Sequence, residues 1–569
     1  MKQKCPMCSR PVQPRDSVCS FCKFKLSPHW ADDTDNGQGN DSISLPDNPP
    51  AADQPSIFSR TDWKQAWETF AAASGAGLIL TNTTDLSAKE PFLAELKAFI
   101  SHREAEGVHY TLLDLATQCV CSVSEPDCDA VVQLLTKIYA VAIPRYLLIV
   151  GDSSVIPAME WQNGCYDHTP HPFKKGDSDS TVISDLPYVT LTTASPWEGM
   201  DYDFTDVTQV GRVPTAAKNQ FAEAITYLKN ARAFTRYSDV RGFALSARVW
   251  DITSRAVFAD LHTDVLLSSP YTADGNLARQ SGYIRVQPLG NRFNLLGFNL
   301  HGSRTSNHWF GQSGSSYPTA FKKELFPDET CNGYALCTEA CYGAKPTVTA
   351  DPSMLVYAMT HRCQAFVGST KIAYGYAQGG MCCADVIAHS FLGAVAAGQT
   401  FGAALLCAYR DLTAKDRLDS VEIKTLAEFA LYGDPAGSLI ARNQHSKAFT
   451  LHRPVHRSRS RIAPAKATGF QSLEASLPHL SLLSHSEGNG RAMSKAQKVE
   501  LIQTHITNET RRFAKQRHNL SLNDEPNVFS VLGRNEYAAV YRTGRGDSES
   551  FCVFMLDEKG HVSRMYHTK

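Results

Sequence analysis

No run of about eighteen uncharged apolar residues, the length a membrane-spanning helix needs, occurs in this 569-residue chain. The opening MKQKCPMCSR also lacks the apolar core of a secretory leader, so the expectation is a cytoplasmic protein without membrane insertion. Net charge is nearly absent: 56 Lys and Arg against 57 Asp and Glu leave −1. A balance that close gives no bulk attraction to nucleic acid or to an anionic surface, and so names no partner. No internal repeat is visible.

What the chain does contain is cysteine, 16 in all. In a reducing compartment these are metal ligands, core residues or a nucleophile before they are a disulfide framework. Cys5, Cys8, Cys19 and Cys22 form C-x2-C-x10-C-x2-C, two thiolate knuckles joined by a loop long enough to close a tetrahedral site. Four sulfurs fill the coordination of a structural Zn2+ and leave no position open for chemistry. Residues 1–26 resemble the zinc ribbons at the N-termini of many bacterial proteins. That resemblance implies docking, with a regulatory protein or a nucleic acid as the candidate partner.

Residues 27–58 pass through DDTDNGQGNDSISLPDNPPAADQP, which has too little apolar surface to repay ordering and reads as a flexible linker. The pattern then changes. GLILTN, HYTLLDLA, RYLLIVGD, PYVTL, GFALSA, NLLGFNL, YALCTEA and AFVGST are candidate strands. They alternate with helical segments such as AKEPFLAELKAFISHR, SRAVFADLHTDVLL and MCCADVIAHSFLGAVAAG. Such alternation predicts an α/β body, residues 59–445, with a parallel sheet flanked by helices and room for two sheet units in tandem. A basic, then Ser-rich second linker spans 446–490, and its HRSRSR reads as solvated tether, phosphate patch or cleavage site. Residues 491–569 predict a small α+β module, one helix against an antiparallel meander.

Open parallel sheets place chemistry at the carboxyl ends of their strands. NLLGFNL ends in His301-Gly302 and YALCTEA ends in Cys341-Tyr342-Gly343. On neighbouring strands, these would deliver an imidazole and a thiol to one edge, where the ring takes the thiol proton. The backbone N–H groups of Gly302 and Cys341 are candidate oxyanion donors.

The order His-Gly then Cys resembles the caspase-like fold, and more nearly the gingipain-type C25 peptidases. The likeness runs through YLLIVGDSSVIP, SDLPYVTL, VGRVP, HGS, AFVGST and LYGDPAGSL, in order from residue 146 to 439. It implies a cysteine endopeptidase acting on protein substrates through a thioester, with Cys341 as nucleophile and His301 as general acid/base. Asp251 falls where the family's orienting acid lies, and reads equally as a helix N-cap. Asp260 lies where some relatives place the acid that selects a basic P1 side chain, and otherwise reads as a solvated charge.

Elsewhere, Cys337 should point into the core by strand alternation. Cys382, Cys383 and His389 make poor metal geometry on one helix face. His308 and Trp309 read as pocket lining or exposed loop, and Asp152 and Asp185 as turn or capping residues. The expectation is an intracellular peptidase regulated by its end modules, with bacterial defence as a setting by family analogy. The alternatives are a non-catalytic caspase-like adaptor and a protease whose ribbon senses nucleic acid.

Overall fold

The computed structural model describes residues 57–568 apart from 73–74, 118–125, 167–176, 200–201, 216, 269–288, 290, 313–316, 328–329, 347–350, 377–379, 416–417, 442–469, 473–493, 519–521, 523, 532–535 and 543–550. Both CxxC pairs, the linker after them and HRSRSR lie outside the described residues. Among those described, no helix is long and apolar enough to cross a membrane.

In chain order the strands are β1 (Ala76–Thr81), β2 (His109–Asp114), β3 (Tyr146–Val150), β4 (Met159–Gln162), β5 (Thr181–Ser184), β6 (Gln209–Val213), β7 (Gly242–Ala247), β8 (Val265–Ser268), β9 (Leu295–Asn299) and β10 (His308–Phe310). They continue with β11 (Thr319–Lys322), β12 (Tyr334–Thr338), β13 (Cys363–Ser369), β14 (Tyr374–Gly375), β15 (Phe429–Gly433), β16 (Phe470–Ser472), β17 (Asn527–Val531), β18 (Tyr537–Arg542), β19 (Phe551–Leu556) and β20 (Val562–Thr568).

Instead of two sheets in tandem there is one ten-stranded sheet, ordered β2-β1-β3-β6-β15-β13-β12-β9-β7-β8. Every pairing is parallel except β13 with β15. Strands β1, β3, β6, β7, β9, β12, β13 and β15 are buried at every position. Burial on both faces is why these segments read as continuous apolar runs rather than as alternation.

Two segments depart from the sequence reading. PYVTL is a helix, Leu186–Thr190, begun by Pro187 near its N-terminus, where a fixed φ and a missing N–H suit the first turn. SRAVFADLHTDVLL is α-helical to Val257, passes through a 3-10 turn at Ala259–Leu261, and its apolar end becomes β8 at the sheet edge.

β15 joins the two parallel halves. It enters late in the chain and meets β6 in parallel through Tyr432↔Arg212, while running antiparallel to β13. Gly433 closes this seam at φ +134°, and a Cβ there would run into the carbonyl oxygen of Gln364. The next residue, Asp434, accepts from the Tyr110 hydroxyl at 2.6 Å and pairs with Arg103 at 2.6 Å, tying β2 and the helix Glu90–Ala105 to the seam. Its backbone N–H donates to the Tyr227 hydroxyl at 2.6 Å.

The C-terminal part is a helix, Lys495–His518, against the meander β16 to β20, and β14 of the large body adds itself beside β20. The body and this meander belong to one compact unit, Pro55–Lys569.

Gly433→Ala is expected to lower unfolding stability by about 3 kcal/mol or more, since a left-handed backbone position and a backbone collision act together. Urea unfolding of the purified chain measures it.

Candidate functional site

β9 and β12 are parallel neighbours, in register from Leu295↔Ala335 to Phe298↔Thr338, and Glu339 N–H continues the ladder to the Phe298 carbonyl at 2.9 Å. Two and three residues beyond these strand ends stand His301 and Cys341. Parallel pairing sends both turns out at the same sheet edge. The turns touch: a Cβ on Gly302 would strike the Cys341 carbonyl oxygen and approach its amide nitrogen to 3.0 Å. Glycine is thus required by contact between two backbones.

His301 is 3 % exposed. Its backbone makes a two-bond bridge to Phe310, at 2.9 and 2.8 Å, which folds the β10–β11 hairpin back over it. The ring lies against Trp250, with centroids 4.4 Å apart. Nε2 is 2.6 Å from Oε1 of Gln312. An amide oxygen only accepts, so Nε2 is the donor in this contact.

Asp251 is the first residue of the helix Asp251–Val257, and its carboxylate pairs with Arg255 at 2.6 Å. Asp260 is half-exposed in the short turn Ala259–Leu261.

Cys341 is 4 % exposed, and its thiol donates to the Ala373 carbonyl at 3.6 Å. Burial pushes this thiol up to about 12, so in the closed arrangement it is protonated at neutral pH. Tyr342 follows at φ +54°, a left-handed conformation that costs a bulky side chain roughly 1–2 kcal/mol. Its N–H donates to the Lys371 carbonyl at 2.7 Å and its hydroxyl to Asp179 at 2.5 Å, which hold it there.

Beneath the turn lies a charge cluster. The Lys424 ammonium is 2.7 Å from Asp177, 3.7 Å from Asp179 and 3.6 Å from Glu428, all of them buried. It also donates to the Ile372 carbonyl at 2.7 Å. Asp179 accepts from Ile372 N–H at 2.9 Å and pairs with Arg304 at 2.8 Å, while Asp177 accepts from the Tyr374 hydroxyl at 2.9 Å. Segment 371–374, which supplies the acceptor for the Cys341 thiol, is therefore fixed by this cluster. Burial drives the Glu428 carboxyl up to about 8 despite the Lys424 ammonium. Asp179 is held below the usual range: burial opposes ionisation, but Lys424 and the Tyr342 hydroxyl outweigh it. Protonated Glu428 leaves two cations, Lys424 and Arg304, facing two carboxylates.

A cavity of about 350 Å3 adjoins Tyr342, lined among others by Asp152, Asp185, Arg212, Arg304, Lys345 and Lys371. Asp185 is bound by Arg212 through both oxygens, at 2.8 and 2.6 Å, and Asp152 closes its own turn on Ser154.

Cys337 is fully buried in β12, as alternation predicts, and Trp309 packs on Phe298 rather than lining a pocket. His308 is half-buried in β10, and burial with Lys322 nearby holds its ring below the usual range. Cys382 and Cys383 are buried beside the cleft, and His389 donates to the Val257 carbonyl at 3.2 Å. Among the described residues no group of His, Cys, Asp and Glu could hold a metal ion. Cys5, Cys8, Cys19 and Cys22 are not among them.

Sequence reasoning missed Gln312, Trp250, Tyr342 and the Lys424 cluster. Lys424 and Glu428 are spaced four apart, as on any solvated helix face. All nine residues of the helix Ser420–Glu428 are buried, which no pattern in SVEIKTLAE announces.

The family model described as Peptidase family C25 matches residues 78–247. This match supports a cysteine-type peptidase, and it ends before His301 and Cys341. Among solved structures the chain is similar to the Arg-specific cysteine proteinase gingipain R, at 11% identity and TM-score 0.43, over 87% of this chain and 97% of that one. It is also similar to a structure described only as a protease, at 11% identity and TM-score 0.40, over 87% of this chain and 90% of the other. No curated protein matches the chain.

Two outcomes are expected. Between about pH 4.3 and 8 the folded chain holds a proton on Glu428 that the unfolded chain has lost, so this group makes stability fall as pH rises through that window, then level off. Glu428→Gln should flatten that decline in a series of thermal melts. Lys424→Met leaves the carboxylates without their buried cation and should cost about 3–5 kcal/mol in chemical unfolding.

Proposed function

We propose that this chain is a cysteine endopeptidase in which Cys341 attacks the scissile carbonyl and His301 moves the proton. The observation that carries this reading is the contact of Gly302 with the Cys341 backbone, which brings the imidazole-bearing turn against the thiol-bearing turn at one sheet edge. The C25 match over residues 78–247 supports the reaction class.

The imidazole takes the Cys341 proton, and the thiolate adds to the carbonyl carbon. The resulting oxyanion is met by the N–H groups of Gly302 and Cys341, neither of which donates to an acceptor among the described residues. The imidazolium then protonates the departing amine as the C–N bond breaks, leaving a thioester that water hydrolyses with the same ring as base. Gln312 acts through His301, as a positioning residue that keeps the Nε2–H tautomer. An amide supplies orientation without the charge an acid would bring to the imidazolium.

Protein substrates follow from this activity. A cytoplasmic enzyme regulated by its end modules is part of the proposal. So is a structural Zn2+ on Cys5, Cys8, Cys19 and Cys22, a thiolate set that suits zinc and gives the ribbon a docking role toward a regulatory protein or a nucleic acid. The sealed state of Cys341 favours a second reading, a caspase-like adaptor without turnover.

Alkylation by iodoacetamide, mapped to individual cysteines by peptide mass spectrometry, separates the two. The proposal expects labelling at Cys341 that falls roughly 100-fold in His301→Ala, with hydrolysis of a peptide library abolished in Cys341→Ala. Labelling undiminished without the imidazole sinks the dyad. Elemental analysis is expected to find one zinc per chain, lost in the Cys5→Ser, Cys8→Ser double variant, and a metal-free wild-type chain would refute the ribbon.

A further inference from the structure

The meander has two apolar faces. One packs on its own helix through Ile502, Ile506, Tyr541 and Phe554. The other, with Phe529, Val540, Phe551, Val553 and Tyr566, forms a single hydrophobic cluster with Cys341, Ile372, Tyr374 and Val421 of the large body. An antiparallel sheet on the surface ordinarily leaves one face to water. Here that face is buried in the same cluster as the thiol.

The edges fit as well. β20 pairs antiparallel with β14, Tyr374↔Thr568 and Gly375↔His567, directly after Ala373, whose carbonyl accepts from Cys341. This short edge of the large body is where an extended peptide would add itself as a strand. The ring of His567 comes within 6.0 Å of Trp250 and 6.3 Å of His301, centroid to centroid. One residue anchors the arrangement. Oδ1 of Asp419 caps the helix Ser420–Glu428, accepting from Val421 and Glu422 at 3.0 Å each, while its Oδ2 accepts from Arg564 at 2.9 Å and from the Tyr566 hydroxyl. Arg564 also lies 3.5 Å from Glu422.

We propose that the C-terminal module is a built-in, reversible cover of the cleft: β20 holds the place of a peptide strand on β14, latched by Arg564 and Tyr566 on Asp419, and displacing it uncovers Cys341. The proposal rests on the reading of Cys341 as nucleophile. Peptide and β20 compete for the same backbone groups, so any partner that draws the module away turns the enzyme on.

The test uses the full chain. Arg564→Glu places a third carboxylate beside Asp419 and Glu422 at a half-exposed position, so the latch opens while the core of the module is untouched; Arg564→Lys is the conservative control. Alkylation of Cys341 should accelerate at least 10-fold in Arg564→Glu and stay near wild type in Arg564→Lys. Hydrogen exchange should rise together at residues 374–375 and 562–568. Exchange that does not change in Arg564→Glu overturns the proposal, because the latch then holds nothing. Faster exchange without faster alkylation overturns it too, since the strand would be released with the thiol still sealed. Faster alkylation and exchange without peptide hydrolysis leaves the cover standing and removes the peptidase reading instead.

Discussion

A single buried ammonium, that of Lys424, is the point from which the cleft is organised. In the low-dielectric interior an unpaired charge is intolerable, so Lys424 gathers Asp177, Asp179 and Glu428, and these carboxylates take the remaining hydrogen-bond donors nearby. Those donors are the Ile372 amide and the hydroxyls of Tyr342 and Tyr374. The segment that accepts the Cys341 hydrogen bond, the strained residue after the cysteine and the edge that pairs with β20 are all held from below by one electrostatic cluster. Partial satisfaction would be worse than an apolar core, which ties the integrity of the cleft to the protonation of Glu428.

The same helix links this cluster to the C-terminal module. Lys424 and Glu428 lie along Ser420–Glu428, and its N-cap, Asp419, takes the side chains of β20. A cap normally serves only its own helix. Here the second carboxylate oxygen is left over after capping, and an arginine from the C-terminal strand uses it. The module and segment 371–374 are thus joined to one helix, through Asp419 at its N-cap and Lys424 within it.

Much of this was legible beforehand. The fully buried strands announced themselves as apolar runs, and both HG and CYG stood directly after such runs. PYVTL failed because a β-branched, aromatic stretch led by proline near its start fits a short helix once Asp185 is bound by Arg212 beside it. SRAVFADLHTDVLL failed because its α-helix stops at Val257 and the sheet edge claims its apolar end. Asp251 was the position that family resemblance offered as the orienting acid. In the structure its carboxylate pairs with Arg255, and the partner found at His301 Nε2 is Gln312, an amide eleven residues beyond the histidine that gives no signal in a single sequence.

The sequence by itself determined the class of layered α/β body and set His-Gly and Cys-Tyr-Gly directly after apolar runs, because hydrophobic periodicity and strand-end glycines are local properties of the chain. Only the tertiary structure decided that the two halves share one sheet, that a buried lysine holds the segment bonded to the cysteine, and that the last strand pairs with β14. Each of these joins residues more than fifty positions apart through backbone pairing or charge burial, and neither leaves a periodic trace in the order of the amino acids.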